Sequence, residues 1–373
     1  MIRSVAQVVD VQPAKKGYEV VLDQTVFFPE EGGQPCDKGT IDGESVLAVK
    51  EKNGVIYHTM MQPPQVGEQV ECAIDWSHRF SLMQNHSGEH VVSGLIHAAY
   101  GYDNVGFHMG SDAITLDLNG VLTKEQVREI ELKANQVVWA NLPVSTMFPA
   151  PEELDRLEYR SKLDLRENVR IVQIGHIDRC ACCAPHVNYT GEIGMIRLLS
   201  VQSYKGGVRI SMLCGHRALE QSQMVQDQIE ALGVKFSVKQ DKVQQAVEKL
   251  ADAHEELKAE RNALSSEVLK QKAALIPECD TLIWAFEELQ GEEVRIYANL
   301  LAARNKGMTA VFGKNGRFVI VSEHLDVRIL AQILREKLGA KGGGSAQMVQ
   351  GSVTAECGII EQVMQAYKSD TFA

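Results

Sequence analysis

His86 and His90 stand four residues apart in Asn85-His-Ser-Gly-Glu-His-Val91, and Cys182 stands four residues before His186 in Cys-Cys-Ala-Pro-His. On a helix, side chains at i and i+4 lie one above the other, so both imidazoles of the first pair can reach one ion. A cysteine with a histidine four residues on can complete the set, and sulfur beside imidazole points to zinc. Each pair alone is a weak signal, because a histidine pair on a helix is more often surface or packing; together they are a strong one. Cys180 and Cys183 flank the pattern, and spacing leaves all three cysteines open as the sulfur ligand. The H-E-x-x-H protease pattern is not met, since Ser87 follows His86 and Glu89 precedes His90, away from the general-base position.

A second group is Thr25-Val-Phe-Phe-Pro-Glu-Glu-Gly-Gly-Gln34. A strand running into Gly32-Gly33 exposes backbone N–H groups to the close approach of a substrate. The plainer reading of the same residues is a glycine turn between strands.

These groups must be positioned by several elements. YEVVLDQTVFF and ESVLAVK are rich in β-branched and aromatic residues, with EEGGQP, IDG, KNG and PPQVG as turns, so residues 1–75 are expected to form a small β-barrel or sandwich. From Trp76 to Tyr100 the spacing changes to that of a helix with Gly101 as its stop. Residues 121–140 predict a second helix capped by Thr123 with Gln126 three positions on, and strands are expected at Val169–Ile174, Ile193–Ser200 and Gly207–Met212. The mixture is α+β rather than alternating βαβ, and residues 76–217 make the expected α+β metal-binding domain. Residues 218–276 carry no proline, and Val243, Val247, Leu250, His254, Leu257, Arg261, Leu264, Val268, Gln271 and Leu275 fall at steps of four and three, an imperfect apolar seam. That pattern predicts either one long solvated helix on a neighbour or a coiled-coil hairpin or dimer stalk. Pro277 ends it, and residues 277–373 read as a separate α/β domain that includes the run Gly342-Gly343-Gly344.

At 373 residues, 45% hydrophobic and 23% charged, the chain has material for several globular cores. No stretch approaches the ~20 apolar residues of a membrane-spanning helix, and the opening lacks the apolar core of a secretory signal, so a cytoplasmic location is expected. There the eight cysteines are expected to be thiols. A net charge of −11 argues against a globally basic nucleic-acid coat while permitting a local positive groove.

TVFFPEEGGQPCDKGTI, NHSGEHVVSGLI, NVGFHMGSDAITLDL and ENVRIVQIGHIDRCACCAPHVNYTGEIGMIRLLSVQSYKGGVRISMLCG together resemble the editing domain of alanyl-tRNA synthetases over most of residues 20–217. KGGGSAQMVQG resembles, more briefly, the end of the DHH-associated domain those enzymes also carry. With the barrel segment first, the chain resembles the longer form of the free-standing alanyl-tRNA editing proteins. The resemblance implies Zn2+ held by His86, His90, Cys182 and His186, and an aminoacyl pocket lined by Thr25, Gly32, Gly33 and Gln34, with Thr25 and Gln34 in the catalytic part. It also implies hydrolysis, without ATP, of tRNA(Ala) wrongly carrying serine or glycine.

A pocket built for alanine rejects serine only about a hundredfold, so a second site must remove the errors. Thr25 is the expected partner of the seryl hydroxyl. Four protein ligands would fill a zinc tetrahedron, so one is expected to yield its place, or else the ion mainly positions. Arg156, Arg160, Lys162, Arg166 and Arg170 form one candidate basic approach for tRNA, and Arg304, Lys306, Lys314 and Arg317 a second. The helical segment and the C-terminal domain are candidate homodimer surfaces. The alternative reading is a noncatalytic tRNA- or protein-binding module with a structural zinc. A DHH-type phosphoesterase is disfavoured, because the aspartate and histidine metal motifs it needs are missing from the sequence.

Overall fold

Ala6 and Val8 turn inward from β1 (Arg3–Pro13) while Val5 and Val9 stay exposed, the two-residue period of a half-buried strand. In the computed structural model of the chain, residues 2–161 and 168–372 are described. They form two units, Met1–Ala231 and Leu232–Ala373. In the first, β1 is joined by β2 (Tyr18–Leu22), β3 (Gly39–Ile41), β4 (Glu44–Val46), β5 (Ala48–Lys52), β6 (Val55–Met60) and β7 (Gln69–Ile74) in an antiparallel sheet ordered β4-β3-β7-β1-β2-β6-β5. Its edge strands are consecutive in the chain, and between them the Leu47 N–H donates to the Thr59 carbonyl of β6 at 2.7 Å, so the sheet is nearly closed. Val20, Phe27, Ile41, Val49 and Met60 fill its interior.

Helix α1 (Trp76–Tyr100) starts at Asp75, whose carboxylate accepts the His78 N–H (3.1 Å), and ends at the left-handed Gly101. It is buried almost all round from Leu82 to Gly94, where a helix is ordinarily apolar, yet it carries Gln84, Asn85, His86, Ser87, Glu89, His90 and Ser93. The interior tolerates them because they find partners. Asn85 Oδ1 accepts the Cys214 N–H (3.0 Å), Gln84 Nε2 donates to the Glu192 carbonyl (2.9 Å), and Glu89 accepts from Asn104 Nδ2 (2.6 Å) and from the Ser93 hydroxyl. At Gly94 a Cβ would stand 2.7 Å from the Ile177 carbonyl oxygen and 2.8 Å from Asp178 Cβ, so only glycine lets that loop approach.

Around α1 lie β8 (Asn104–Met109), β9 (Ile114–Leu118), α2 (Lys124–Ala140), β10 (Val144–Met147), the single-turn α3 (Pro151–Leu154), β11 (Ile171–Ile174), β12 (Asp178–Ala181), β13 (Ile196–Tyr204) and β14 (Gly207–Cys214). They make a four-stranded sheet, β13-β14-β9-β8, and a three-stranded one, β10-β11-β12. The Thr123–Gln126 capping box starts α2 as its sequence predicts. The strand expected from Ile193 begins instead at Ile196, because Thr190–Ile193 coils into a single 3-10 turn.

The helical segment is not one helix. α4 (Gly215–Phe236) stops before Ser237, which takes a left-handed conformation (φ 54°) while the Val238 N–H turns back to the Gly233 carbonyl (2.9 Å), and α5 (Val243–Ala274) follows. Nor does the heptad seam pack as a coiled coil among the described residues: Leu257 is 65% and Leu264 61% exposed, while α5 buries Leu269 and Ala273 on another face. The second unit continues with β15 (Leu282–Phe286), α6 (Glu292–Ala302), β16 (Met308–Phe312), β17 (Arg317–Val321), α7 (Arg328–Leu338), β18 (Lys341–Gly344), β19 (Met348–Ser352) and α8 (Cys357–Thr371). Its five-stranded sheet, β15-β16-β17-β19-β18, buries β16 on both faces: Val311 packs with Leu269 and Leu301, and Ala310 with Leu330 and Met364. No helix of the described residues is long and apolar enough to cross a membrane.

One buried ion pair ties the first sheet to α1. Arg79 Nε donates to Asp37 Oδ1 (2.7 Å), its Nη2 donates to Asp37 Oδ2 and to the Val26 carbonyl (2.8 Å), and Asp37 Oδ2 also takes the Phe28 N–H (2.6 Å). Asp37→Ala leaves the guanidinium buried without its partner and is expected to cost about 3–5 kcal/mol, whereas adding Arg79→Met should recover much of the loss. Denaturant unfolding of both variants measures this.

Candidate metal centre

Three imidazoles and one sulfur converge where α1 meets the loop after β12. His86 and His90 project from successive turns of α1, and His186 and Cys182 come from the loop; the ligand atoms of all four lie within 4.8 Å of one another. Cys182 Sγ is 3.6 Å from His86 Nε2 and 3.4 Å from His186 Nε2. A tetrahedral zinc with bonds of about 2.3 Å to sulfur and about 2.0–2.1 Å to nitrogen separates its ligands by about 3.5 Å, so the spacing and the donor set both fit that ion.

Each ring is oriented through its other nitrogen. His86 Nδ1–H donates to Gln34 Oε1 (2.8 Å), His90 Nδ1–H to Asp178 Oδ2 (3.0 Å) and His186 Nδ1–H to Ser87 Oγ (3.0 Å). Fixing Nδ1 as the donor turns every Nε2 lone pair toward Cys182, the arrangement a metal ligand needs. Asp178 is held in turn by Arg160, whose Nε and Nη2 reach its two oxygens at 2.7 and 3.0 Å. Arg170 Nη1 donates to the Cys182 and Ala184 carbonyls (2.7 and 2.8 Å) and fixes the loop.

The charge balance agrees with a cation. In the ion-free cluster burial opposes ionisation of Cys182, but the close approach of the His186, His86 and His90 rings outweighs it and holds the thiol far below its usual range. Burial brings His186 down to about 3, so its ring stays neutral. Burial also disfavours a charged His90, yet Asp178 and Cys182 raise it, so without an ion a protonated imidazole has to balance the thiolate. A divalent metal held by His86, His90, Cys182 and His186 would supply that charge in place of the proton.

Of the flanking cysteines, Cys183 is exposed. Cys180 Sγ lies beside His90 and Asp178, its ionisation disfavoured by burial. Only Cys182 groups with all three imidazoles among the described residues.

The glycine turn reaches the same place. Glu31 and Gln34 exchange backbone hydrogen bonds (3.2 and 3.0 Å) across Gly32 and Gly33, both at positive φ, which makes a tight two-residue hairpin turn. A Cβ on Gly33 would stand 2.6 Å from the Phe107 carbonyl oxygen, and the Phe107 ring lies 5.0 Å from that of His86. Gln34, 1% exposed, therefore has its carbonyl on His86, while its Nε2 is buried with no hydrogen-bond partner among the described residues. Thr25 Oγ1 lies 2.9 Å from His58 Nε2 and accepts the Phe27 N–H at 3.1 Å.

Gly342, Gly343 and Gly344 lie elsewhere, on the exposed strand β18 of the second unit. Of the basic candidates, Arg160 and Arg170 turn inward to brace the metal loop, Arg156, Lys306 and Arg317 are exposed, Lys314 faces Glu288, and Arg304 donates to the Ile276 carbonyl. Lys162 and Arg166 lie outside the described residues. Sequence reasoning missed the supporting roles of Ser87 and Asp178 and read Arg160 and Arg170 as tRNA contacts; the one available signal was Ser87, which sits inside the histidine pattern itself.

Comparison with known proteins gives the class to which this chain belongs, relatives of the tRNA synthetases. Residues 1–78 match the family described as tRNA synthetases class II (A), and residues 169–211 match the threonyl and alanyl tRNA synthetase second additional domain. The chain is 30% identical to the alanyl-tRNA editing protein AlaX-L of Pyrococcus horikoshii over 94% of its own length and 92% of the relative's. It is 28% identical to the alanyl-tRNA editing protein Aarsd1 of Rattus norvegicus, covering 91% and 85%. Against the alanine–tRNA ligase of Halorubrum lacusprofundi it is 31% identical over 91% of this chain but 39% of the ligase. The chain belongs to the alanyl-tRNA editing protein family.

Asp178→Asn, which weakens the bond orienting His90, is expected to lower zinc affinity about 10–100-fold, measured by competition with a chromophoric chelator. Cys182→Ser should abolish stoichiometric binding, and Cys180→Ser and Cys183→Ser should keep it.

Proposed function

We propose that this protein is a zinc-dependent trans-editing hydrolase that deacylates Ser-tRNA(Ala), and Gly-tRNA(Ala) more slowly, acting in the cytoplasm. The observation that carries the reading is Gln34: its carbonyl is spent on His86 and its buried Nε2 is free to donate. An unsatisfied buried donor costs about 1–3 kcal/mol, and a substrate oxygen beside the centre would remove that cost. The ester joining the amino acid to the 3′-terminal ribose offers such an oxygen in its carbonyl, which gains negative charge as water adds.

Zinc held by His86, His90, Cys182 and His186 would supply Lewis-acid charge beside that ester. Gln34 would donate its amide hydrogen to the developing oxyanion, and the turn at Gly32 and Gly33 would admit the aminoacyl backbone where side chains could not fit. Thr25 would pair with the seryl hydroxyl. Alanine leaves that pairing unmade and is spared, and glycine, which also brings no hydroxyl, is turned over more slowly than serine.

In this reading residues 1–75 form the barrel subdomain, 76–217 the editing domain, 218–276 the helical connection and 277–373 the DHH-associated domain. The exposed Arg156, Lys306 and Arg317 would meet tRNA phosphates, and the exposed seam of α5 supports a homodimer through that helix.

The test is deacylation of Ser-, Gly- and Ala-tRNA(Ala) beside Ser-tRNA(Ser) by zinc-quantified protein. Fast loss of serine from tRNA(Ala) with Ala-tRNA(Ala) intact is expected, as is a fall of about 100–1,000-fold in kcat for Gln34→Ala if it serves as an oxyanion donor. No turnover by zinc-replete protein would favour a noncatalytic binding module.

A further inference from the structure

The hydroxyl of Thr25 has one hydrogen to give and two lone pairs to fill. Its surroundings settle where they go. His58 sits on β6 in the barrel core, fully buried, with its ring edge-to-face on Phe27 at 5.4 Å. Its Nδ1 lies 3.0 Å from the Val20 carbonyl oxygen, which can only accept, so Nδ1 carries the ring hydrogen. Burial pulls the imidazole below its usual titration range and keeps it neutral. Nε2 is then a bare lone pair 2.9 Å from Thr25 Oγ1, and the threonine must donate to it. The Phe27 N–H occupies one lone pair of Thr25 at 3.1 Å. What remains is a single lone pair.

We propose that His58 is a specificity-setting positioning residue: by taking the Thr25 hydrogen, it makes Thr25 an obligate acceptor, so the pocket selects an aminoacyl side chain that brings a hydroxyl donor. This rests on the proposed role of Thr25 as the contact for the amino acid side chain. Serine supplies the donor; alanine and glycine have none. The chain Val20 carbonyl, His58, Thr25, substrate hydroxyl then runs in one direction from the barrel core to the pocket, with each group's donor and acceptor role fixed by the one before it. In a pocket without His58 the Thr25 hydrogen would rotate, and the ordered acceptor would be lost without loss of the hydroxyl.

Two measurements test it. In the unaltered protein, 15N spectra of labelled histidine should show His58 as the neutral Nδ1–H tautomer; the Nε2–H tautomer or an imidazolium would overturn the proposal whether or not any variant folds. In kinetics, His58→Leu should lower kcat/KM for Ser-tRNA(Ala) by about 2–10-fold, the worth of one ordered hydrogen bond, and leave Gly-tRNA(Ala) within about twofold. In a Thr25→Val background the same His58 change should no longer alter the serine-to-glycine ratio. If Thr25→Val itself leaves that ratio unchanged, the underlying reading of Thr25 fails. If Thr25→Val collapses the ratio and His58→Leu does not move it, the role of His58 alone fails.

Discussion

A half-buried sulfur set among three buried imidazoles is the constraint on which the first unit depends. Cys182 can be ionised there only if positive charge stands beside it, and the rings can share an ion only if every Nε2 faces inward. The second condition is met from outside the cluster. Gln34 comes from the hairpin turn beside the barrel, Ser87 from α1 itself and Asp178 from the start of β12, and each fixes one Nδ1. Removing any of these supports frees a ring to turn its hydrogen toward the sulfur.

The same requirement explains why the central helix is polar yet buried. α1 presents two ligands on one face, and around the rest of it Asn85, Gln84 and Glu89 bond to three different neighbours. Gly94 brings the 177–178 loop against the helix, close enough for Asp178 to reach His90. The Asp37–Arg79 pair ties the Thr25–Gln34 segment to the same helix, so the glycine turn and the histidines are held by one rigid element.

Much of this was legible in the sequence because it is periodic or local. The four-residue spacing of His86 and His90 is a helix property, the Thr123–Gln126 cap is a three-residue pattern, and Gly32-Gly33 marks a turn wherever it occurs. Asp178, Arg160 and His58 were not legible, since their partners lie 88, 18 and 33 residues away and no spacing rule connects them. Arg160 and Arg170 read as surface cations until the fold turns them inward. The break at Ser237 was hidden for a different reason: a left-handed helix end is usually marked by glycine or asparagine, and serine gives no such signal. The heptad seam shows the limit of periodicity itself, for it reveals which residues share a face and is silent on whether anything covers them.

The central claim is that one sulfur and imidazole nitrogens from this cluster bind zinc. X-ray absorption at the zinc edge of the purified protein tests it most directly. The account predicts one zinc per chain with a single sulfur neighbour at about 2.3 Å and a remaining shell of nitrogen and oxygen with imidazole scattering. Two or more sulfurs, or a shell without sulfur, would contradict it.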